Sequence, residues 1–179
     1  MKLWRILSSA VKSLAITLQR SFDHTYRRLV GVPTHRYSEI TPQLYLGGQY
    51  SKRGFAILKK RGITGIVSMR TTPRKELPDL GEVHFLHLPT PDQKAPALAD
   101  LQAGVAFMDK IIRNDGKVYV HCWYGEGRGP SMVAAYLIST GLTLDHALDQ
   151  IRAVRGFIKI TNEQTQRLVE FEQITTSLI

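Results

Sequence analysis

The chain has 179 residues, 43% of them hydrophobic, which suits one globular domain with a sizeable core. Its single cysteine excludes a disulfide framework and a cysteine-based structural zinc site, and six scattered histidines show no ligand spacing, so neither metal nor cofactor is expected. The net charge of +9 is uneven: residues 1–80 carry 15 Lys and Arg against 4 Asp and Glu (+11), and residues 81–179 carry 9 against 11 (−2). That asymmetry points to anionic lipid or an acidic macromolecule as a partner for the first half. Net charge alone is no case for nucleic acid.

In chain order, Leu3, Leu7, Val11, Leu14, Leu18 and Phe22 recur at helical spacing. Lys2, Arg5, Lys12 and Arg20 add charge, and Asp23 is the only acid before residue 39. Lys12 interrupts the apolar run that a secretory signal needs. Three readings stay open: a basic amphipathic helix on an anionic membrane surface, an organelle presequence, and a helix packed on the domain. No stretch reaches the roughly 20 apolar residues of a membrane span. The expected location is cytoplasmic or peripheral to a membrane. The break at Gly31-Val32-Pro33 divides the chain into a tail helix, 1–30, and a domain, 31–179.

Within the domain, residues 40–48 read as a short strand and a turn. Residues 51–61 read as a helix capped by Ser51 and stopped by Gly62. Residues 63–70 and 83–89 read as strands, separated by a polar loop and followed by another. Leu98, Leu101, Val105, Met108 and Ile112 mark a long helix. Residues 117–122 are a buried-type strand, followed by a glycine-rich turn and a helix that has Pro130 in its first turn and Gly141 at its stop. Thr143 caps the next helix, and Thr161 the last, with Gln164 as capping-box partner. Alternating strands and helices predict an α/β fold: a central, mainly parallel sheet flanked by helices. In such sheets the binding crevice lies at the carboxyl ends of the strands, where Cys122 stands.

The turn "HCWYGEGRG" has its own chemistry. Six backbone N–H groups, from Trp123 through Tyr124, Gly125, Glu126 and Gly127 to Arg128, can form an anion nest. Its glycines allow the backbone angles required. The following helix points its positive end into the same place. The Arg128 guanidinium matches phosphate oxygens with two parallel donors. Cys122 then sits beneath a cradle for a tetrahedral dianion, and the field that holds phosphate also favours the thiolate.

This Cys-x5-Arg loop preceded by histidine resembles the signature of the cysteine-dependent protein tyrosine phosphatase superfamily. "ITPQLYLGG" with "RGITGIVSMR", "LHLPTPDQKAP" and "AAYLISTGLTLDHALDQIRAVRG" resemble the small, atypical dual-specificity branch, over roughly residues 38–172. The resemblance implies metal-independent hydrolysis of phosphate monoesters through a phosphocysteine. Cys122 is then the nucleophile, Asp92 the general acid and later base, and Arg128 with the loop amides the stabiliser of the equatorial oxygens. Asp79 is the rival acid. His121 orients the loop, and Gln164 matches the water-positioning glutamine of some branches, although its capping role explains it equally well. The family places Ser or Thr after the arginine to help expel the thiolate; here Gly129 stands there, with Ser131 the nearest hydroxyl.

Glu126 at the loop rim disfavours a polyanionic head group, and Trp123 and Tyr124 favour an aromatic leaving group. The favoured substrate is therefore a phosphoprotein, foremost phosphotyrosine, with phosphoserine and phosphothreonine admitted. A membrane-associated phospholipid phosphatase, acting on phosphatidylglycerophosphate or phosphoinositide, is the alternative. A non-catalytic phosphate-binding module is the second alternative.

Overall fold

The computed structural model describes residues 2–72 and 81–177, with side chains described from residue 10 onward. After a long first helix, strands and helices interleave as far as β5 (Lys117–His121), and three helices follow it. The elements are α1 (Lys2–Val30), β1 (Glu39–Thr41), β2 (Leu44–Gly47), α2 (Lys52–Lys60), β3 (Ile63–Ser68), β4 (His84–His87), α3 (Leu98–Ile112), β5 (Lys117–His121), α4 (Arg128–Ser139), α5 (Leu144–Val154) and α6 (Asn162–Thr176). The sheet order is β1-β2-β5-β3-β4; β1 is antiparallel to β2 and all other pairs are parallel. This is the predicted α/β arrangement, a mainly parallel sheet flanked by helices.

Side-chain alternation builds two cores. Leu44, Leu46, Val67, Val118 and Val120 share one core with residues of α3, α4, α5 and α6. Tyr45, Ile66 and Tyr119, the neighbours on the same strands, join Val32, Phe55 and Leu58 in the other. Strands buried on both faces explain why they read as continuous apolar runs rather than polar–apolar alternations. Each fully buried Val or Leu contributes about 1.5–3 kcal/mol. α4 lies deepest: every residue from Arg128 to Ile138 is buried. The expected caps are in place. Ser51 accepts from Gly54, Thr143 accepts from His146, and Thr161 with Gln164 closes a capping box.

Register positions the site. Gly47 and Ser68 both pair with His121, so β2, β3 and β5 end together. Cys122 follows directly, and the loop to α4 opens at that shared edge.

α1 both packs on the domain and presents an apolar stripe. From Gln19, whose Nε2 donates to the Val154 carbonyl at 3.0 Å, the inner face is engaged by the domain. Asp23 is fully buried, and its Oδ1 accepts from the Thr34 N–H and hydroxyl at 3.0 and 3.1 Å. Leu14 and Leu18 on the outer face are each 61% exposed, and Val11 is exposed as well. A division at residue 30 thus runs through a set of buried polar contacts that joins α1 to residues 31–37 and to α5. No described helix is long and apolar enough to cross a membrane.

Candidate active site

β5 delivers His121 and Cys122 to the sheet edge. The His121 ring stacks on Tyr119 at 5.9 Å and meets Tyr50 edge-on at 5.2 Å, and its Nδ1 lies 3.2 Å from the Cys122 carbonyl oxygen. Cys122 is buried at the floor of the turn. The Gly125 N–H donates to Cys122 Sγ at 3.2 Å. Gly125 has φ +71°, and any side chain there would collide with the Gly47 backbone, so glycine is required twice over. α4 begins at Arg128, aiming its free N–H groups at the same point.

Arg128 is 6% exposed and held on its far side by the Thr90 carbonyl at 2.9 Å. Its other terminal nitrogen meets Asp92 Oδ1 at 2.7 Å. The predicted acid and the predicted phosphate ligand are thus brought together in a cleft that Cys122 also lines, although Asp92 lies 30 residues upstream of Cys122. Asp92 remains largely exposed. Asp79 lies outside the described residues. A cleft of about 420 Å³ is lined by Cys122, Arg128, Asp92 and Gln164, with Arg20 and Lys159 contributing cations.

Gln164 is fully buried in the wall of that cleft. Its Oε1 accepts from the Thr161 N–H at 3.1 Å and its Nε2 donates to the Lys94 carbonyl at 2.9 Å. The amide therefore ties the start of α6 to the Asp92 loop. Ser131 donates its hydroxyl to the Gly127 carbonyl at 3.0 Å, which commits its proton to the backbone of the loop. A β-carbon at Gly129 would stand 3.8 Å from Cys122 Sγ, against the Leu46 Cδ1 at 3.0 Å.

The loop's outer rim is gripped by α1. Glu126 Oε1 accepts from Arg20 Nε at 2.8 Å and lies 3.0 Å from His24 Nε2. Burial pushes the Glu126 carboxyl up, but the bonds from His24 and Arg20 outweigh it and hold the group below the usual range. The same bond to Glu126 raises Arg20 further above its already high value. Tyr124 stacks on His24 at 5.2 Å, and Trp123 lies under the Arg70 guanidinium at 4.3 Å. Behind the loop, the fully buried Arg155 donates from Nε to the Gly125 carbonyl at 2.8 Å and from one terminal nitrogen to both the Tyr124 carbonyl at 2.9 Å and Asp23 Oδ2 at 3.1 Å.

Arg20, Asp23, His24 and Arg155 escape motif reading, since no local pattern pairs residues of α1 with a loop about a hundred positions on. Asp23 alone left a signal, as the one acid in a basic helical stretch. Chemically, the arrangement can cradle a tetrahedral dianion, place sulfur beneath it and bring a carboxyl to its outer oxygen.

Comparison with known proteins gives the same picture. The family model "Dual specificity phosphatase, catalytic domain" matches residues 44–174. Phosphatidylglycerophosphatase and protein-tyrosine phosphatase 1 of Rattus norvegicus is 32% identical over 164 residues, covering 83% of each chain. Phosphatidylglycerophosphate phosphatase PTPMT2 of Arabidopsis thaliana is 27% identical over 148 residues, 79% of this chain and 65% of that protein. Dual specificity protein phosphatase 1-A of Xenopus laevis is 30% identical over 138 residues, 75% of this chain and only 36% of its own length. The crystal structure of PTPMT1 in complex with PI(5)P superposes with a TM-score of 0.71 at 31% identity, over 78% of this chain and 96% of that one. The chain belongs to the dual specificity phosphatase family.

Proposed function

We propose that this protein hydrolyses phosphate monoesters through a phosphocysteine on Cys122, and that its substrate is an anionic phospholipid met at a membrane surface. The observation that carries the chemistry is the Gly125 N–H bonded to Cys122 Sγ at 3.2 Å, with Arg128 and Asp92 converging on the same cleft. In the first step Cys122 Sγ attacks phosphorus, the ester P–O bond breaks, and the leaving oxygen takes a proton from Asp92. In the second, water attacks phosphorus, its proton passes to the Asp92 carboxylate, the S–P bond breaks and inorganic phosphate leaves. Arg128 exchanges the Asp92 carboxylate for phosphate oxygens when substrate enters.

The lipid reading departs from the favoured sequence reading for a physical reason. The Glu126 charge, which the sequence reads as repelling a polyanion, is offset by the Arg20 guanidinium at 2.8 Å. Lys159 then adds positive potential to the cleft. The exposed stripe of Val11, Leu14 and Leu18, flanked by Lys12, supplies the apolar and cationic elements of an interfacial helix. Two relatives named for phosphatidylglycerophosphate, matched along most of this chain, support the same choice. The second reading, phosphotyrosine in a phosphoprotein, is favoured by Trp123 and Tyr124, which stand 43% and 41% exposed in the loop itself.

The test is a substrate panel on the full chain, with phosphatidylglycerophosphate and phosphoinositides in anionic vesicles set against phosphotyrosine and phosphothreonine peptides. Preferential lipid turnover, reduced in a Leu14→Glu/Leu18→Glu variant that keeps its activity on p-nitrophenyl phosphate, is expected. Faster peptide turnover, indifferent to those two substitutions, decides for the protein substrate. Absence of phosphate release from every substrate overturns the enzymatic reading.

A further inference from the structure

Two consecutive peptide units of the phosphate loop have their outer ends fixed by a single side chain. Arg155 donates from Nε to the Gly125 carbonyl at 2.8 Å and from a terminal nitrogen to the Tyr124 carbonyl at 2.9 Å. In a trans peptide the N–H points opposite to the carbonyl, and no peptide bond here is cis. Pulling the Tyr124 carbonyl outward therefore turns the Gly125 N–H inward, where it meets Cys122 Sγ at 3.2 Å. Pulling the Gly125 carbonyl outward turns the Glu126 N–H inward in the same way.

Arg155 is itself fully fixed. Its guanidinium lies 4.3 Å over the Phe157 ring, one terminal nitrogen donates to Tyr37 at 2.9 Å, and the other reaches Asp23 Oδ2 at 3.1 Å. Both members of the Arg155–Asp23 pair have no exposed side-chain surface. The remaining Asp23 oxygen accepts two bonds from Thr34. Paired and hydrogen-bonded in this way, two buried charges hold one geometry; removing either leaves the other uncompensated. Asp23 belongs to α1, outside the residues 44–174 that the family model matches.

We propose that Arg155 is a positioning residue for the phosphate loop and that Asp23 is its orienting counter-ion, so that α1 is a working part of the active site. The proposal rests on the reading of the loop as a phosphate cradle. Asp23 holds the Arg155 fork in plane, the fork holds two carbonyls outward, and the loop presents its N–H groups to sulfur and phosphate before substrate arrives. The Glu126 bonds to Arg20 and His24 tie the adjacent loop residue to the same helix. This preorganisation spares the loop from ordering itself during the reaction.

The experiment compares the full-length protein with Asp23→Asn and Arg155→Lys. Leu148→Ala serves as control: it truncates a buried core residue on α5, whose C-terminal cap is Arg155. Three quantities are read on folded protein well below its midpoint of unfolding: orthovanadate affinity, the rate of Cys122 alkylation by iodoacetate at constant pH, and kcat and KM for p-nitrophenyl phosphate. Arg155→Lys and Asp23→Asn are expected to weaken vanadate binding and slow alkylation by about tenfold each, the factor set by losing a hydrogen bond to a charged group. The loss in turnover should fall on kcat, with Leu148→Ala lowering the midpoint of unfolding yet leaving all three readouts unchanged. Vanadate affinity and alkylation rate that stay at wild-type level in both variants overturn the proposal, whatever their loss of stability. Should Arg155→Lys fail to fold, the near-isosteric Asp23→Asn decides by the same criteria. Alkylation reads the loop without any turnover, so failure of the phosphatase reading shows separately, as wild-type protein that neither binds vanadate nor releases phosphate.

Discussion

Replacing Gly129 by serine tests the position after Arg128, where the family resemblance implies a hydroxyl. A β-carbon at 129 would lie 3.8 Å from Cys122 Sγ, so a serine Oγ one bond further can reach hydrogen-bonding distance of the sulfur. The obstacle is Leu46 Cδ1 at 3.0 Å, the far end of a flexible side chain, which must yield by a few tenths of an ångström. Ser131 cannot readily substitute, because its hydroxyl is committed to the Gly127 carbonyl. A hydrogen bond to a charged sulfur is worth about 1.5–3 kcal/mol. Realised only as the thiolate departs, it accelerates breakdown of the phosphocysteine by about 10- to 100-fold. Stopped-flow kinetics with p-nitrophenyl phosphate separates the two steps. Wild-type protein should release a burst of nitrophenolate close to one equivalent, then turn over slowly. In Gly129→Ser the burst should vanish and the steady state rise about tenfold or more. A wild-type trace without a burst, together with unchanged turnover in the variant, would refute the reasoning.

Further predictions follow from the same geometry. Asp92→Asn should slow the first step on alkyl phosphates by about 10²- to 10⁴-fold, and slow the nitrophenolate burst much less, because that leaving group needs little protonation. The same variant should bind vanadate more tightly by isothermal titration, because Arg128 no longer carries the carboxylate seen at 2.7 Å. Glu126→Gln should narrow its stability deficit as the solution is acidified. The folded carboxyl lies below its unfolded value, so its contribution is present above about pH 4.3 and fades as pH falls through the folded value. Melting curves of both proteins between pH 3 and pH 7 check this, and a deficit that grows on acidification contradicts it. Gly125→Ala should lose activity and stability together, since φ +71° costs an alanine roughly 1–2 kcal/mol before any collision with Gly47. Circular dichroism melts and vanadate titration measure the two losses.

Much of the fold and the centre of the site were legible in the residues. Cap residues act within one turn of chain, so Ser51, Thr143 and Thr161 announced their helices, and the structure shows each cap accepting the expected N–H. β-branched runs marked the buried strands, and the glycines between Cys122 and Arg128 marked a turn that only small residues can follow. These are local constraints: a few covalent bonds of chain decide them, and a sequence records them directly.

What the tertiary structure alone decided is long-range. The same apolar stripe in α1 served equally for a packed helix and for a membrane face; packing used the opposite face, leaving Leu14 and Leu18 outside. Asp23 meets Arg155 across 132 positions, and Arg20 meets Glu126 across 106. Charge complementarity at such separation leaves no periodic trace, because any cation can pair with any anion until the backbone brings two together. The role of the rim acid depended on this too: Glu126 reads in sequence as a repulsive acid, and the approach of Arg20 and His24 from α1 makes it an anchor.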